Sequence, residues 1–279
     1  MVFDCHTHFA RETDITGDFL FDARHAWGKD YRIACNKEEH TAAMKQCDGA
    51  IVLALDAEQA GYYVPNSYVA EYVGKNSSKL IGFASINPNR PSPERLLEEA
   101  RREFNLRGLK LAPIYQFFNP TDRICYPLYA KAQELKMPIM WHQGTSYLRK
   151  GPLEYCNPVL LDPIARAFPD LKMIIAHIGH PWYAEAVCVV RKHTNVFADV
   201  SALGLRPWQM YNALLCAVEY GVEDKLLFGT DFPFFDCNST IAALRRVNSV
   251  VEGTNMPRIP EDIIEAIINR NTPEILEIV

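Results

Sequence analysis

Short apolar runs rich in β-forming residues recur along the chain at fairly even intervals. Their length and composition are typical of buried β-strands. The pattern therefore predicts about eight strands, which are "VFDCHTHF", "GAIVLAL", "LIGFASIN", "LRGLKLAP", "PIMWHQG", "KMIIAHIG", "VFADVSAL" and "LLFGTDFP".

Segments with helical periodicity separate these runs, for example "SPERLLEEARREF", "YPLYAKAQELK", "LDPIARAF" and "WQMYNALLCAVEYG". In the first segment Ser92 is a candidate N-cap, and Pro93 occupies the first helical position. Strands that alternate with helices predict parallel strands joined by crossover helices. Eight such units fit an α/β fold of the (β/α)8 TIM-barrel type, which we expect to form one domain over residues 1–279. The main alternative is an open doubly wound sheet, but no GxGxxG loop follows any predicted strand.

Residues 10–39 interrupt this regular alternation after the first strand. They include "GDFLFDARHAWGKDYR", which is rich in aromatic residues but has no clean period. An insertion at this position lies on the C-terminal face of a barrel, where active sites form. We interpret it as a lid or wall facing a substrate, and an ordinary structured loop is the alternative.

Charge, hydropathy and cysteine content exclude several classes of protein. The formal net charge of −5 does not favour nucleic-acid binding. No apolar stretch approaches the roughly 20 residues that span a bilayer, and no signal peptide begins the chain. The 8 cysteines are scattered and form no CxxC pair. We therefore interpret the cysteines as reduced thiols of a cytoplasmic protein rather than as a disulfide framework.

Candidate metal ligands lie at the ends of the predicted strands. His6 and His8 alternate along the first strand, so their side chains should converge while Cys5 and Thr7 face away. The fifth, sixth and eighth strands end in His142, His177 and Asp231. Parallel barrel strands bring these ends to one face. Imidazoles and a carboxylate suit one divalent ion, Zn first, with Mn, Fe or Co as alternatives, and a bound water would be acidified.

These motifs resemble the amidohydrolase superfamily, in the amidohydrolase-related branch that includes aminocarboxymuconate-semialdehyde and resorcylate decarboxylases. The resemblance runs nearly end to end, from "DCHTHF" through "RGLKLAP" and "MIIAHIGHPW" to "LLFGTDFPF". It implies one metal ion bound by His6, His8, His142 and Asp231. It also implies that His177 stands beside the metal-bound water, where it polarises the substrate or moves protons. One departure is that "HIGHPW" replaces the Gly-Gly that commonly follows this histidine in the decarboxylases.

Several further residues are weaker candidates. Lys110 corresponds to the lysine that bridges two ions in binuclear members, but here a role in the pocket or in a buried ion pair is favoured. Asp199 and Ser201 end the seventh strand, where Asp199 could orient a ligating histidine or cap a helix. Asp4 is expected deeper on the face of His6. The other weak candidates for the substrate pocket are His180, Trp182 and Arg149.

The sequence therefore predicts a metal-dependent hydrolase. Asp231 is the first candidate for the base that activates water, and His177 would help to stabilise the oxyanion. The expected substrate is a small, carbonyl-containing, cyclic or carboxylated metabolite. Two alternatives remain open, namely a metal-dependent non-oxidative decarboxylase and a catalytically inactive homologue that binds a metabolite. No nucleic-acid or membrane partner is expected, and a homodimer is left open.

Overall fold

In the computed structural model, residues 1–30, 32–76 and 78–278 are described. Eight strands coincide with the eight apolar runs: β1 (Phe3–His8), β2 (Gly49–Leu53), β3 (Leu80–Ser85), β4 (Gly108–Leu111), β5 (Ile139–Trp141), β6 (Met173–Ile175), β7 (Val196–Asp199) and β8 (Leu226–Leu227). All neighbouring strands pair in parallel, in the order in which they follow along the chain.

The sheet closes on itself between β1 and the segment that follows β8. Cys5 N donates a hydrogen bond to Phe228 O at 2.9 Å, and Asp231 N donates to His6 O at 2.8 Å. Thr7 and Phe232 form a further parallel bridge. The predicted (β/α)8 TIM barrel is therefore confirmed. No helix in the described ranges is both long and apolar enough to cross a membrane.

The helices between the strands include the four predicted segments. The α-helices are α1 (Gly17–Trp27), α2 (Lys37–Ala43), α3 (Asn66–Gly74), α4 (Pro93–Arg102), α5 (Pro113–Gln116), α6 (Tyr126–Glu134), α7 (Asp162–Ala167), α8 (Tyr183–Lys192), α9 (Pro207–Glu219), α10 (Cys237–Arg245), α11 (Glu261–Ile268) and α12 (Thr272–Leu276). Ser92 does precede α4, but its side chain makes no capping hydrogen bond, because its φ of 50° places the backbone in the left-handed region.

The apolar side chains form two core layers, since alternate strand residues face opposite sides of the sheet. One layer fills the bottom of the barrel and includes Phe3, Ile51 and Phe83. The other lies between the strands and the surrounding helices and includes Val52, Leu109 and Trp141. Polar strand residues are thereby concentrated at the C-terminal ends.

The first strand contains one extra residue between Asp4 and Thr7 relative to β2, which is a β-bulge. Thr7 faces away from the barrel interior as predicted and donates to Ile51 O at 2.6 Å. The prediction for Cys5 is wrong, because the bulge leaves its side chain in the inner core layer together with Phe3. Asp4 also differs from expectation, since it pairs in register with Ala50, which packs on the helix side.

Residues 10–39 lie over the C-terminal face of the barrel. They contain α1 and the start of α2, and Tyr31 within them lies outside the described residues. An antiparallel hairpin after β2, formed by Leu55–Ala57 and Tyr62–Val64, packs beside this segment through a bridge between Ile15 and Tyr62. Together they build walls above the strand ends.

Candidate active site

Three potential ligands converge where the barrel closes. His6 Nε2 lies 3.2 Å from His8 Nε2. Asp231 Oδ1 lies 3.4 Å from His6 Nε2 and 3.5 Å from His8 Nε2. Two ring nitrogens and one carboxylate oxygen this close together can bind a single divalent ion. Asp231 reaches this position because its φ of 65° turns the chain sharply after β8.

His142 lies in the same cavity, directly after β5. Its ring is 5.2 Å from that of His177 and 4.9 Å from that of Tyr115, measured between centroids. Its Nε2 is buried and has no hydrogen-bond partner within the described part of the chain. Leaving a buried polar atom without a partner costs free energy. This nitrogen is therefore suited to bind a metal ion or another group that is not part of the protein.

The buried carboxylate of Asp199 orients His6. His6 Nδ1 donates to Asp199 Oδ2 at 2.9 Å, which leaves Nε2 with its lone pair toward His8 and Asp231. A second carboxylate that fixes the tautomer in this way is characteristic of histidine ligands in metal sites. Burial, and then the charge of Lys110, lower the pKa of His6, so the ring is neutral and able to bind a cation.

His177 is held in a defined tautomer by the same carboxylate. Ser201 Oγ donates to Asp199 Oδ1 and therefore accepts from His177 Nδ1 at 2.7 Å. His177 Nε2 is consequently the unprotonated nitrogen of this cavity-lining ring. The backbone of His177 has a φ of 58°, and its N–H donates to Asp199 Oδ1 at 2.9 Å. Burial lowers the pKa of His177, so it is a neutral proton acceptor.

Lys110, on β4, is buried beside the potential ligands. Its Nζ lies 3.2 Å from His6 Nε2. Burial lowers its pKa to about 8, although the charges of Asp231 and Asp199 oppose that shift. Burial likewise raises the pKa of Asp231 to about 7, because the charged form of a carboxylate is poorly solvated at this depth. The ionised carboxylate therefore needs a positive charge nearby. A bound cation would supply that charge, so the donor set fits a divalent metal ion.

A cavity of about 430 Å³ opens above these residues. Its walls are largely aromatic and come from α1, the hairpin, and the segments after β4, β5 and β8. The aromatic lining residues are Phe19, Trp27, Tyr62, Tyr115, Tyr147, Phe234 and Phe235. The insertion at residues 10–39 thus contributes to the wall through α1. A cavity of this size and character suits a small planar molecule with a few polar groups.

The structure brings most of the predicted site residues together on this cavity: His8, Lys110, His142, His177, His180 and Asp231 line it. His6 lies just below the surface, where it contacts His8 and Lys110. Trp182 and Arg149 are not on the cavity wall. Arg149 instead donates to the buried Asp22 of α1, with Nε at 2.6 Å from Oδ1.

Arg206 also lines the cavity and was not among the sequence candidates. It lies seven residues beyond β7, immediately before α9, and no strand-end motif marks it. Only the path of this loop across the barrel brings its side chain to the cavity.

The barrel fold and the cluster of histidines and a carboxylate at its C-terminal end define a TIM-barrel protein with a candidate metal site. The sequence profile of the amidohydrolase family Amidohydro_2 matches residues 3–272. The chain therefore belongs to this amidohydrolase family, as the sequence resemblance implied. No curated protein matches the chain.

Solved structures with the same fold include three informative cases. A 5-carboxyvanillate decarboxylase from Sphingomonas paucimobilis is 15% identical (TM-score 0.70), with 100% of this chain and 99% of that chain covered. A probable 2-pyrone-4,6-dicarboxylic acid hydrolase from Acinetobacter baumannii is 14% identical (TM-score 0.69), with 99% of each chain covered. A dihydroxybenzoic acid decarboxylase from Polaromonas with bound manganese is 17% identical (TM-score 0.67), with 99% and 96% covered. At these identities the likeness shows the fold.

Proposed function

We propose that this protein is a metal-dependent decarboxylase of a small aromatic carboxylic acid, and that residues 1–279 act as one domain. The observation that carries this proposal is the position of His6, His8 and Asp231 at the base of a cavity with aromatic walls. The fold shared with two aromatic-acid decarboxylases supports decarboxylation over the hydrolysis expected from the sequence.

In this proposal His6, His8, His142 and Asp231 hold one divalent ion, and the buried unpartnered Nε2 of His142 supports its inclusion. Zinc and manganese both suit imidazole and carboxylate ligands. The manganese bound to the Polaromonas decarboxylase makes manganese as strong a candidate as the zinc expected from the sequence. When bound, such an ion supplies positive charge that anchors and orients the oxygen atoms of the acid.

The residues of the chain then have separate tasks. The aromatic walls hold the ring and exclude water, which strengthens every charge interaction at the base of the cavity. Lys110 donates a hydrogen bond to a substrate oxygen, and His177 Nε2 accepts one from a ring hydroxyl. A solvent proton reaches the ring carbon by way of Asp231, whose carboxylate accepts it and passes it on as the bond to the substrate carboxylate breaks and CO2 leaves.

Hydrolysis by a metal-activated water remains the second candidate. The "HIGHPW" sequence, which departs from the Gly-Gly of the decarboxylases, favours it, and so does the fold shared with the probable 2-pyrone-4,6-dicarboxylic acid hydrolase. The complete set of ligating residues argues against an inactive homologue.

The test is to load the protein with Mn²⁺ or Zn²⁺ and incubate it with hydroxybenzoic acids, and separately with lactones and amides, in ¹⁸O-labelled water and in D2O. We expect CO2 release with deuterium on the ring carbon, and loss of this activity in Asp231→Asn. Incorporation of ¹⁸O into a product without CO2 release would instead identify a hydrolase. Metal-loaded protein that binds acids but turns over neither class would refute both candidates.

A further inference from the structure

One part of the cavity wall has no role in the chemistry described above. It is formed by Arg206, before α9, and His180, in the loop that follows β6. Neither residue belongs to the cluster of His6, His8 and Asp231. This patch, which we call the Arg206–His180 patch, brings a cation and a ring nitrogen to an otherwise largely aromatic wall.

Within the described part of the chain, Arg206 uses only a small part of its hydrogen-bonding capacity. Its Nη1 donates to Ala202 O at 3.0 Å, and its Cζ lies 5.9 Å from the ring centroid of Trp27. No Asp or Glu of the described residues forms an ion pair with it. Because a guanidinium presents five N–H donors in a planar fork, it is suited to bind a carboxylate with two parallel hydrogen bonds.

His180 provides the second, independent observation. Its residue is 8% exposed, and its Nδ1 is buried without a hydrogen-bond partner within the described ranges. The backbone around it is fixed, since His180 N donates to His177 O at 2.9 Å and His180 O accepts from Thr145 N at 2.8 Å. Burial, and then the charge of Arg206, lower the pKa of His180, which agrees with the two side chains being close.

An unpaired cation beside a buried polar atom leaves part of the hydrogen-bonding potential of the wall unsatisfied. Water can satisfy an exposed guanidinium, but a half-buried one against an apolar wall gains more from an anion that fills the cavity. The two parallel N–H groups of the guanidinium favour a planar anion such as a carboxylate. The aromatic walls favour a planar ring as the part of the ligand that carries this anion.

We propose that the Arg206–His180 patch binds a second carboxylate of the substrate, separate from the group that reacts at His6, His8 and Asp231. The substrate class is then an aromatic dicarboxylate, and Arg206 determines specificity for it. This inference rests on the proposed function for the identity of the reacting end. The binding of the second carboxylate requires no turnover and can be measured alone.

The probes are isophthalate, its monomethyl ester and benzoate, titrated calorimetrically into metal-loaded protein. We expect isophthalate to bind more tightly than the other two. Arg206→Met should weaken isophthalate about 10–100-fold, as expected for the loss of charge-assisted hydrogen bonds, and leave benzoate nearly unchanged. Arg206→Lys should recover part of the loss, and His180→Gln should weaken isophthalate less than Arg206→Met does.

Arg246→Met is the matched control, because Arg246 Nε also donates to the carbonyl four residues before it, that of Ala242, but lies away from the cavity. We expect no change in this variant. If Arg206→Met does not fold, Arg206→Lys and His180→Gln carry the test.

Three results would overturn the patch as a carboxylate site: no binding of isophthalate, equal losses for isophthalate and benzoate, or the same loss in Arg246→Met. Selective isophthalate binding, together with no CO2 release from the hydroxybenzoic acids, would retain the patch and refute the decarboxylase. Decarboxylation of a hydroxylated dicarboxylate whose binding and turnover are unaffected by Arg206→Met would do the reverse.

Discussion

At the level of single residues, one carboxylate determines which ring nitrogens of His6 and His177 carry a proton. Asp199 accepts from His6 Nδ1 and from Ser201 Oγ, and Ser201 accepts from His177 Nδ1. Each hydrogen bond fixes which nitrogen of the next ring is unprotonated. The Nε2 atom of His6 is therefore unprotonated and able to bind a metal ion. The Nε2 atom of His177 is likewise unprotonated and able to accept a proton.

We predict that His177→Asn retains the metal ion and lowers kcat about 10²–10⁴-fold, because it removes a positioned proton acceptor without removing a ligand. Metal content by elemental analysis and initial rates would measure the two effects. His25→Asn, which changes an exposed histidine of α1, should alter neither. A variant at His177 that loses the ion would show that His177 is itself a ligand.

At the scale of elements, α1 forms one wall of the cavity and is tied to the loop after β5 by two consecutive basic residues. Asp22 accepts from Arg149 N at 2.9 Å and from Arg149 Nε at 2.6 Å. One turn earlier, Asp18 pairs with Lys150 at 2.5 Å. Arg149 therefore contacts α1, the helix that places Phe19 and Trp27 on the cavity wall.

For Arg149→Met we predict a rise in KM that exceeds the fall in kcat, because α1 is held less firmly over the cavity. The free energy of unfolding should also fall by about 1–3 kcal/mol, since the buried Asp22 loses a charged donor. Steady-state kinetics and urea unfolding would measure these effects. Arg123→Met, at an exposed arginine, should leave both quantities unchanged. An unaltered KM in Arg149→Met would indicate that α1 does not depend on this contact.

At the scale of the whole molecule, three of the four proposed ligands lie on the two sides of the seam where the barrel closes. His6 and His8 belong to β1, whereas Asp231 follows β8, and Asp231 N is bonded to His6 O. An ion held by these residues would therefore connect the first strand of the barrel to the last.

We predict about one tightly bound transition-metal ion per chain, whose removal by a chelator lowers Tm. At an ion concentration of 100 Kd, binding to the folded state alone stabilises it by about 2.7 kcal/mol. Calorimetry with and without chelator would measure the shift, and His8→Ala should show a smaller one. Two ions per chain would contradict the single site, and an unchanged Tm would indicate that the folded protein holds no tightly bound ion.

The amino-acid pattern alone was enough to predict the element order, the barrel and most of the residues that meet at the candidate site. Apolar runs alternating with helical segments specify parallel strands, because each strand must bury both faces. Since the C-terminal ends of parallel strands meet at one face, His6, His8, His142, His177 and Asp231 could be assigned to one site from their positions alone.

Strand periodicity does not encode bulges, loop paths or contacts between distant residues, and these features became visible only in the folded chain. The bulge in β1 reversed the expected directions of Cys5 and Asp4, because one extra residue shifts the alternation of side chains. The paths of loops placed Arg206 on the cavity and Arg149 on α1, since irregular segments have no period from which a direction can be inferred. The tautomers of His6 and His177 likewise depend on Asp199, which is distant in sequence and adjacent only in the folded barrel.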